Sequence, residues 1–379
     1  MNSRMPSSAV YEYGRLTAAS QLAKISELAS TGRLGAIGGT QVPELERLTA
    51  ARIGRAQAVA VSSATAGIEL ALRALGASPG QQVIIPALCW VSVGAAVHAT
   101  GATVQVAPVT ADLTPAWDAI ASLLTPNTTA VIVAHLRGMP ARGITHIAAR
   151  LHEHGIPLIE DCAQAWGTRT GPHTAAGSHG TAAVFSVQTH KLIAAGEGGL
   201  VASDDTDLLS SIRALAGDTR VSTPRPIWRG NARMSETTAA MAIPQLGALD
   251  ELTGQLRLLQ QKAAELLTSA TTAELVLPGP GQCGDSNGMH VGAWWPSAEA
   301  AHNLQAHLHV SGLRTWHPTS GDLHFHDSWP VTACSPSPAM DRYLDIQIPA
   351  LDPAHHDAFL DRLLDAVTEA GLTCDGNAR

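Results

Sequence analysis

Of the 24 lysines and arginines in this 379-residue chain, only three are lysine: Lys24, Lys191 and Lys262. Where arginine serves as the general cation, a lysine is more often needed as an amine. Lys24 and Lys262 fall in stretches of helical periodicity, where a solvated side chain is the ordinary role. Lys191 instead follows the strand-like run AAVFS in a loop that leads on to GEGG. An amine held there can form a Schiff base with an aldehyde. Asp161 ends the apolar run IPLIED, and a carboxylate at the end of a buried strand needs a partner, such as a protonated ring nitrogen. A metal is the poorer alternative, because no His/Cys/carboxylate cluster of ligand spacing surrounds it. Trp90 follows the run QVIIP and offers a face for a flat ring. SSATAGIEL (62–70) puts small hydroxyl residues before a helix, where free N–H groups and the helix dipole suit a phosphate. Each feature also has a plain structural reading: an N-cap by Ser63 or Thr65, core packing of Trp90, a turn at GEGG. Together they make a phosphate cup, a stacking ring, a carboxylate and an amine. Pyridoxal phosphate (PLP) requires that set.

The elements that must position these groups are legible as an alternation. AVAVSS, QVIIP, AVIVAH, IPLIED, AAVFS and GLVAS are continuous apolar runs, interleaved with helical segments such as TAGIELALRALG and ITHIAARLHEHG. This predicts an α/β fold with a mostly parallel central sheet sandwiched by helices, with ligands beyond the carboxyl ends of the strands. The first helix, LTAASQLAKISELASTG, carries an apolar face of Leu16, Leu22, Ile25 and Leu28. After about residue 235 long helices and short strands predict a smaller α+β unit. The expected division is an N-terminal segment 1–30, a large domain 31–240 and a small domain 241–379.

A net charge of -8 without a basic run disfavours nucleic acid, and no apolar run is long enough for a membrane span. The five scattered cysteines read as reduced thiols, and with no apolar leader at the start the expected location is the cytoplasm. In HPTSGDLHFHDSW, His317, His324 and His326 read as a substrate-side or surface loop; a metal site there lacks a ligand pattern, so no metal is expected.

Six segments in order and spacing give a more specific likeness: TGRLGAIGGTQVPELE, ALGASPGQQVIIPALCWVSV, AVIVAHLRGMP, EDCAQAWG, SHGTAAVFSVQTHK and GNARMSETTAAMAIPQL. The chain resembles the DegT/DnrJ/StrS family of PLP-dependent sugar aminotransferases, which have the aspartate-aminotransferase type of fold. The resemblance runs from about residue 30 to 245, and more loosely to the end. It implies that Lys191 binds PLP covalently, Asp161 pairs with its ring nitrogen, Trp90 stacks on the ring and Gln164 sits by the ring hydroxyl. Ala64, Thr65 and Ser186 would hold the phosphate. Asn231 would reach the same phosphate from the neighbouring subunit of a homodimer. His135, His190 and His317 are the substrate-side candidates.

The chain departs from the family pattern at Cys162, Trp166 and the run Val-Gln-Thr-His before Lys191. These are expected on the substrate side. Some relatives carry histidine in place of the lysine and act as dehydratases; here Lys191 keeps the position and His190 is its neighbour. The reading is amino transfer from L-glutamate or L-glutamine to a keto-sugar or keto-cyclitol, as in antibiotic-type biosynthesis. The pattern resembles scyllo-inosose aminotransferases and aminohydroxybenzoate synthases more than nucleotide-sugar enzymes. A PLP lyase or dehydratase, and a silent regulator that keeps the fold, are the alternatives.

Overall fold

The structure, a computed structural model, describes residues 11–222, 229–277, 284–318 and 340–374. The strands in chain order are β1 (Gln57–Val61), β2 (Gln82–Pro86), β3 (Thr103–Ala107), β4 (Thr128–Ala134), β5 (Leu158–Asp161), β6 (Arg169–Gly171), β7 (Thr174–Ala175), β8 (Ala182–Ser186), β9 (Gly199–Ser203), β10 (Glu274–Val276), β11 (His290–Trp294), β12 (Thr315–Trp316) and β13 (Tyr343–Gln347). The helices that matter below are α1 (Ala18–Thr31), α2 (Gln41–Ile53), α3 (Ala64–Ala74), α4 (Val91–Ala99), α5 (Glu236–Gly247) and α6 (Leu249–Ala270).

Seven strands form the central sheet in the order β1-β9-β8-β5-β4-β2-β3. The neighbours from β8 through β5, β4 and β2 to β3 are parallel. β9 runs antiparallel to both β8 and β1. Six of the seven strands therefore point the same way, and their carboxyl ends share one edge. The strands are apolar because helices cover both faces: β4 carries Val131 and Val133 toward one cluster and Ala130 and Ile132 toward another. β3, which the sequence reading left out, is the edge strand and only half-buried, so its apolar pattern is weak.

β10 to β13 build a second, four-stranded sheet in the order β10-β11-β13-β12. Along β13 the two faces divide as pleating requires. Leu344 and Ile346 join the main core, while Tyr343 joins another cluster and Asp345 is bonded to a charged side chain. The 22-residue α6 follows α5 and carries Leu256, Leu259, Ala263 and Leu267 into the same core as Val291 and Phe359. Residue 240, the predicted domain limit, lies inside α5. That helix packs on α1 and α2, because its buried Ala239 and Ala242 belong to the core those helices help close.

One expectation is corrected by packing. The helix around Lys24 forms, but Leu16 and Leu22 are exposed and the buried side of α1 carries Gln21 and Leu28. Gln21 turns inward because its amide donates to the Gly14 carbonyl at 2.5 Å. The Gly-rich run 32–40 is shaped by Glu236. Its carboxylate accepts from the N–H groups of Thr40, Gln41 and Val42 at 2.7–2.8 Å, capping α2. A Cβ at Gly39 would meet that carboxylate at 2.0 Å. Among the described residues no helix is long and apolar enough to cross a membrane.

Candidate active site

A cavity of about 470 Å³ opens at the carboxyl edge of the central sheet. Its floor comes from the residues that follow four of the parallel strands. β2 leads to Trp90, β4 to His135, β5 ends at Asp161, and β8 ends at Ser186 ahead of Lys191. β1, which points the same way, leads to Ser63, Ala64 and Thr65 at the start of α3. Ser63 caps α3 by accepting the Ala66 N–H at 3.0 Å. The cap leaves the N–H groups of Ala64 and Thr65 and the Thr65 hydroxyl with no hydrogen-bond partner among the described residues, which fits a phosphate.

Lys191 sits in a folded-back loop between β8 and β9. Val187 N–H donates to Gly198 at 3.0 Å, Thr189 N–H to Gly196 at 3.0 Å, and Ala195 N–H to Val187 at 2.8 Å. Gln245 on α5 clamps the far side, accepting from Ala194 N–H and donating to its carbonyl at 2.7 and 3.0 Å. The last glycine of GEGG has a steric cause. A Cβ at Gly199 would lie 2.5 Å from the Ala64 nitrogen, so β9 can start against the first turn of α3 only as glycine. We expect Gly199→Ala to cost about 1–3 kcal/mol of stability and to weaken PLP binding. Thermal melts and a cofactor titration check this; an unchanged affinity would show that α3 tolerates the displacement.

Burial, the largest influence, pushes the Lys191 amine below its ordinary range. Asp161 and Glu197 pull it back up and Arg137 pushes it further down. Burial likewise raises the Asp161 carboxyl, opposed by the Ala163 N–H, Lys191 and His135. Asp161 Oδ1 accepts that N–H at 3.0 Å, and its other oxygen has no hydrogen-bond partner among the described residues. A buried carboxylate with one oxygen open to a cavity fits a protonated ring nitrogen, and Trp90, 44% exposed, stands on the same cavity.

His135 lines the cavity but is tied on both ring nitrogens. Nδ1 accepts from Ala141 N–H at 3.0 Å, so the proton belongs on Nε2, which donates to Glu160 at 2.8 Å. Glu160 also accepts from the N–H groups of Gly177, His179 and Gly180 at 2.6–2.9 Å. Burial alone would raise its carboxyl, but these donors hold it at about 2. His135, Glu160 and Cys162 lie close enough to share a metal, a grouping the sequence reading did not foresee. The hydrogen bonds already engage the Glu160 oxygens and both His135 nitrogens, which makes the trio a structural strut. Gln164 accepts the Arg137 N–H at 2.6 Å, and its own amide nitrogen has no hydrogen-bond partner among the described residues.

His190 lines the cavity; Asn231 and His317 do not. Asn231 is exposed beside Ala232, whose carbonyl accepts the Ser62 N–H at 2.8 Å. His317 is buried against the His302 ring and bonded to the Asp341 carbonyl at 2.9 Å. His324 and His326 lie outside the described residues. Cys162 and Trp166 also fall elsewhere than expected: both are core residues, and Trp166 donates its indole N–H to the Ser186 carbonyl at 2.7 Å. They shape packing beneath the cavity rather than its substrate side.

The opposite wall was missed. Met289, His290, Arg314, Thr315, Trp316 and Gln347 come from the second sheet and its approaches, Tyr11 from the N-terminal segment and Arg137 from the turn after β4. The Arg314 guanidinium lies over the Tyr11 ring at 4.8 Å and bonds Glu12 at 3.3 Å.

A family model described as the DegT/DnrJ/EryC1/StrS aminotransferase family matches residues 17–315. An L-glutamine:scyllo-inosose aminotransferase of Streptomyces griseus is 36% identical over 251 residues, 60% of this chain and 56% of that protein. An L-glutamine:2-deoxy-scyllo-inosose aminotransferase of Streptomyces fradiae is 34% identical over 288 residues, 66% of each chain. The matched stretch therefore spans at most 66% of either relative. The solved structure of DesI in the presence of its TDP-sugar product aligns with TM-score 0.80 at 27% identity, covering 93% of this chain and 91% of that one.

Proposed function

The chain belongs to the DegT/DnrJ/EryC1/StrS aminotransferase family, and on that premise we propose that it is a PLP-dependent aminotransferase that moves the amino group of L-glutamine to a keto-cyclitol. One observation carries the reading. A single cavity gathers an amine of lowered basicity, a buried carboxylate with an open oxygen, an exposed indole face and the unspent N–H groups of a helix start. Lys191 would hold the cofactor as a Schiff base, Asp161 its ring nitrogen, and Ala64, Thr65 and Ser186 its phosphate. Bound there, PLP supplies an aldehyde that captures amines and a ring that accepts electrons from the neighbouring carbon.

The rest is the chain's own work. Once released, the Lys191 amine takes the proton from the donor's α-carbon and later delivers one to the acceptor's former carbonyl carbon. Its lowered basicity keeps a larger share of it unprotonated, as a base must be. Asp161, buried at the end of β5, would favour a positive partner opposite its carboxylate form. Arg314, Thr315 and Gln347 offer donors on the far wall for substrate carboxylate and hydroxyl groups. The names of the relatives support glutamine as donor and a cyclitol ketone as acceptor. We further propose a homodimer in which the exposed Asn231 completes the partner's phosphate site, and a cytoplasmic location, in keeping with five cysteines scattered along the sequence without a paired spacing.

The test is a pair of half-reactions. PLP-loaded protein should lose its cofactor absorbance band with L-glutamine and recover it with scyllo-inosose or its 2-deoxy form. No bleaching by L-glutamine or L-glutamate would remove the aminotransferase reading. Recovery with a nucleotide-linked keto-sugar alone would remove the cyclitol.

A further inference from the structure

Arg137 is one of two non-glycine residues with positive φ among the described residues, at +58°. Side chains with a Cβ rarely adopt that conformation, and it persists only where surroundings enforce it. Four contacts do so. Its backbone N–H donates to the Gln164 side chain at 2.6 Å. Its guanidinium grips Asp345 of β13 through both carboxylate oxygens at 2.7 Å. The same group donates to His290 Nδ1 at 3.1 Å and lies over the Trp316 ring at 4.7 Å. Asp345 is fully buried, and Arg137 and Asp345 are 208 residues apart.

We propose that Arg137 is a positioning residue for this site, fixing Gln164 through its backbone and the second sheet through Asp345. The bidentate pair sets both the width of the cavity and the charge facing the Lys191 amine. The inference rests on Lys191 being the working amine, as proposed above. The Asp345 carboxylate offsets part of the guanidinium's charge, while Arg137 still pushes the Lys191 amine down. Breaking the fork on one side unbalances it. The other groups that face Lys191 are Asp161 on β5, Glu197 before β9, and His290 on β11. His290 is held neutral, at about 4, chiefly by burial and then by Arg137. Burial pushes the Asp345 carboxyl up, but Arg137 and His290 outweigh it and hold it below the usual range.

The test uses the full chain without added cofactor, so it does not depend on PLP chemistry. Competitive acetylation with acetic anhydride across pH, read by peptide mass spectrometry, titrates all three lysines, with Lys24 and Lys262 as internal references. Asp345→Asn leaves the Arg137 charge uncompensated, so Lys191 should titrate about half to one pH unit lower. Arg137→Gly/Asp345→Asn removes both charges and should bring it back. A Lys191 titration unmoved in Asp345→Asn, or a double variant that stays with the single, overturns the proposal. Arg137→Gly gives an independent reading. Glycine accepts the backbone conformation, and His290 Nδ1, 3.2 Å from Asp345, should take over as counter-ion. Its imidazole signal, assigned against His290→Gln, should then titrate near or above the ordinary histidine range. A His290 that stays neutral at pH 6 would show that Asp345 does not depend on Arg137.

Discussion

Replacing Lys191 by alanine is expected to reduce amino transfer by at least about 10³-fold, because one side chain supplies both the covalent anchor and the proton carrier. The measurement is borohydride reduction of PLP-treated protein, followed by peptide mapping. In the unaltered chain the cofactor mass should appear on the peptide containing Lys191 and not on those with Lys24 or Lys262. In Lys191→Ala no stable adduct should form. An adduct of equal yield in the variant would reassign the anchor. The other two lysines are poorly placed to substitute. Lys24 lies on α1, with its amine 3.5 Å from Gln41, and Lys262 lies on α6.

The second large effect concerns Asp161 and has opposite signs for activity and stability. Asp161→Asn should lower turnover by about 10²-fold or more, since a neutral amide does not hold the ring nitrogen protonated. Without cofactor the same change should stabilise the chain. The carboxyl range of Asp161 is raised in the folded protein, so its charged form is disfavoured there. That penalty is absent at acid pH, grows as pH rises through the unfolded carboxylate range and is complete above the raised one. Cofactor-free Asp161→Asn should therefore melt higher than the parent at pH 7–8, and the gap should close toward acid pH. With PLP bound the order should reverse. A variant less stable than the parent at pH 8 without cofactor would mean that the open carboxylate oxygen has a protein partner after all.

The large sheet and most of its floor residues were legible because they are local. A strand buried on both faces reads as an unbroken apolar run, and the residue after it inherits a known edge of the sheet. Lys191, Asp161 and Trp90 could be placed by that logic alone. The second wall could not, since Arg137 meets His290 across 153 residues and Arg314 meets Glu12 across 302, separations beyond any periodic pattern. One signal was available. In YLDIQIP an aspartate alternates with Leu344 and Ile346, and a carboxylate on a short strand bounded by apolar neighbours calls for a distant cation. The surroundings of Cys162 and Trp166 went wrong for a related reason: they follow Asp161 by one and five positions, but the turn there returns them beneath the sheet edge, into the core.

The doubled-back segment that carries Lys191 behaves as a ruler. Surface connections usually tolerate a residue more or less, since closing a slightly longer loop costs little. Here both ends are paired as strands, the middle is clamped by Gln245, and Gly199 rests on the backbone of α3. An insertion or deletion between Val187 and Gly198 cannot be absorbed by slack, so it must shift the amine itself by a residue's length. In a library that varies this length, active clones should keep twelve residues between Ser186 and Gly199, with the buried Val187, Leu192 and Ile193 retained and the exposed Thr189 free to vary.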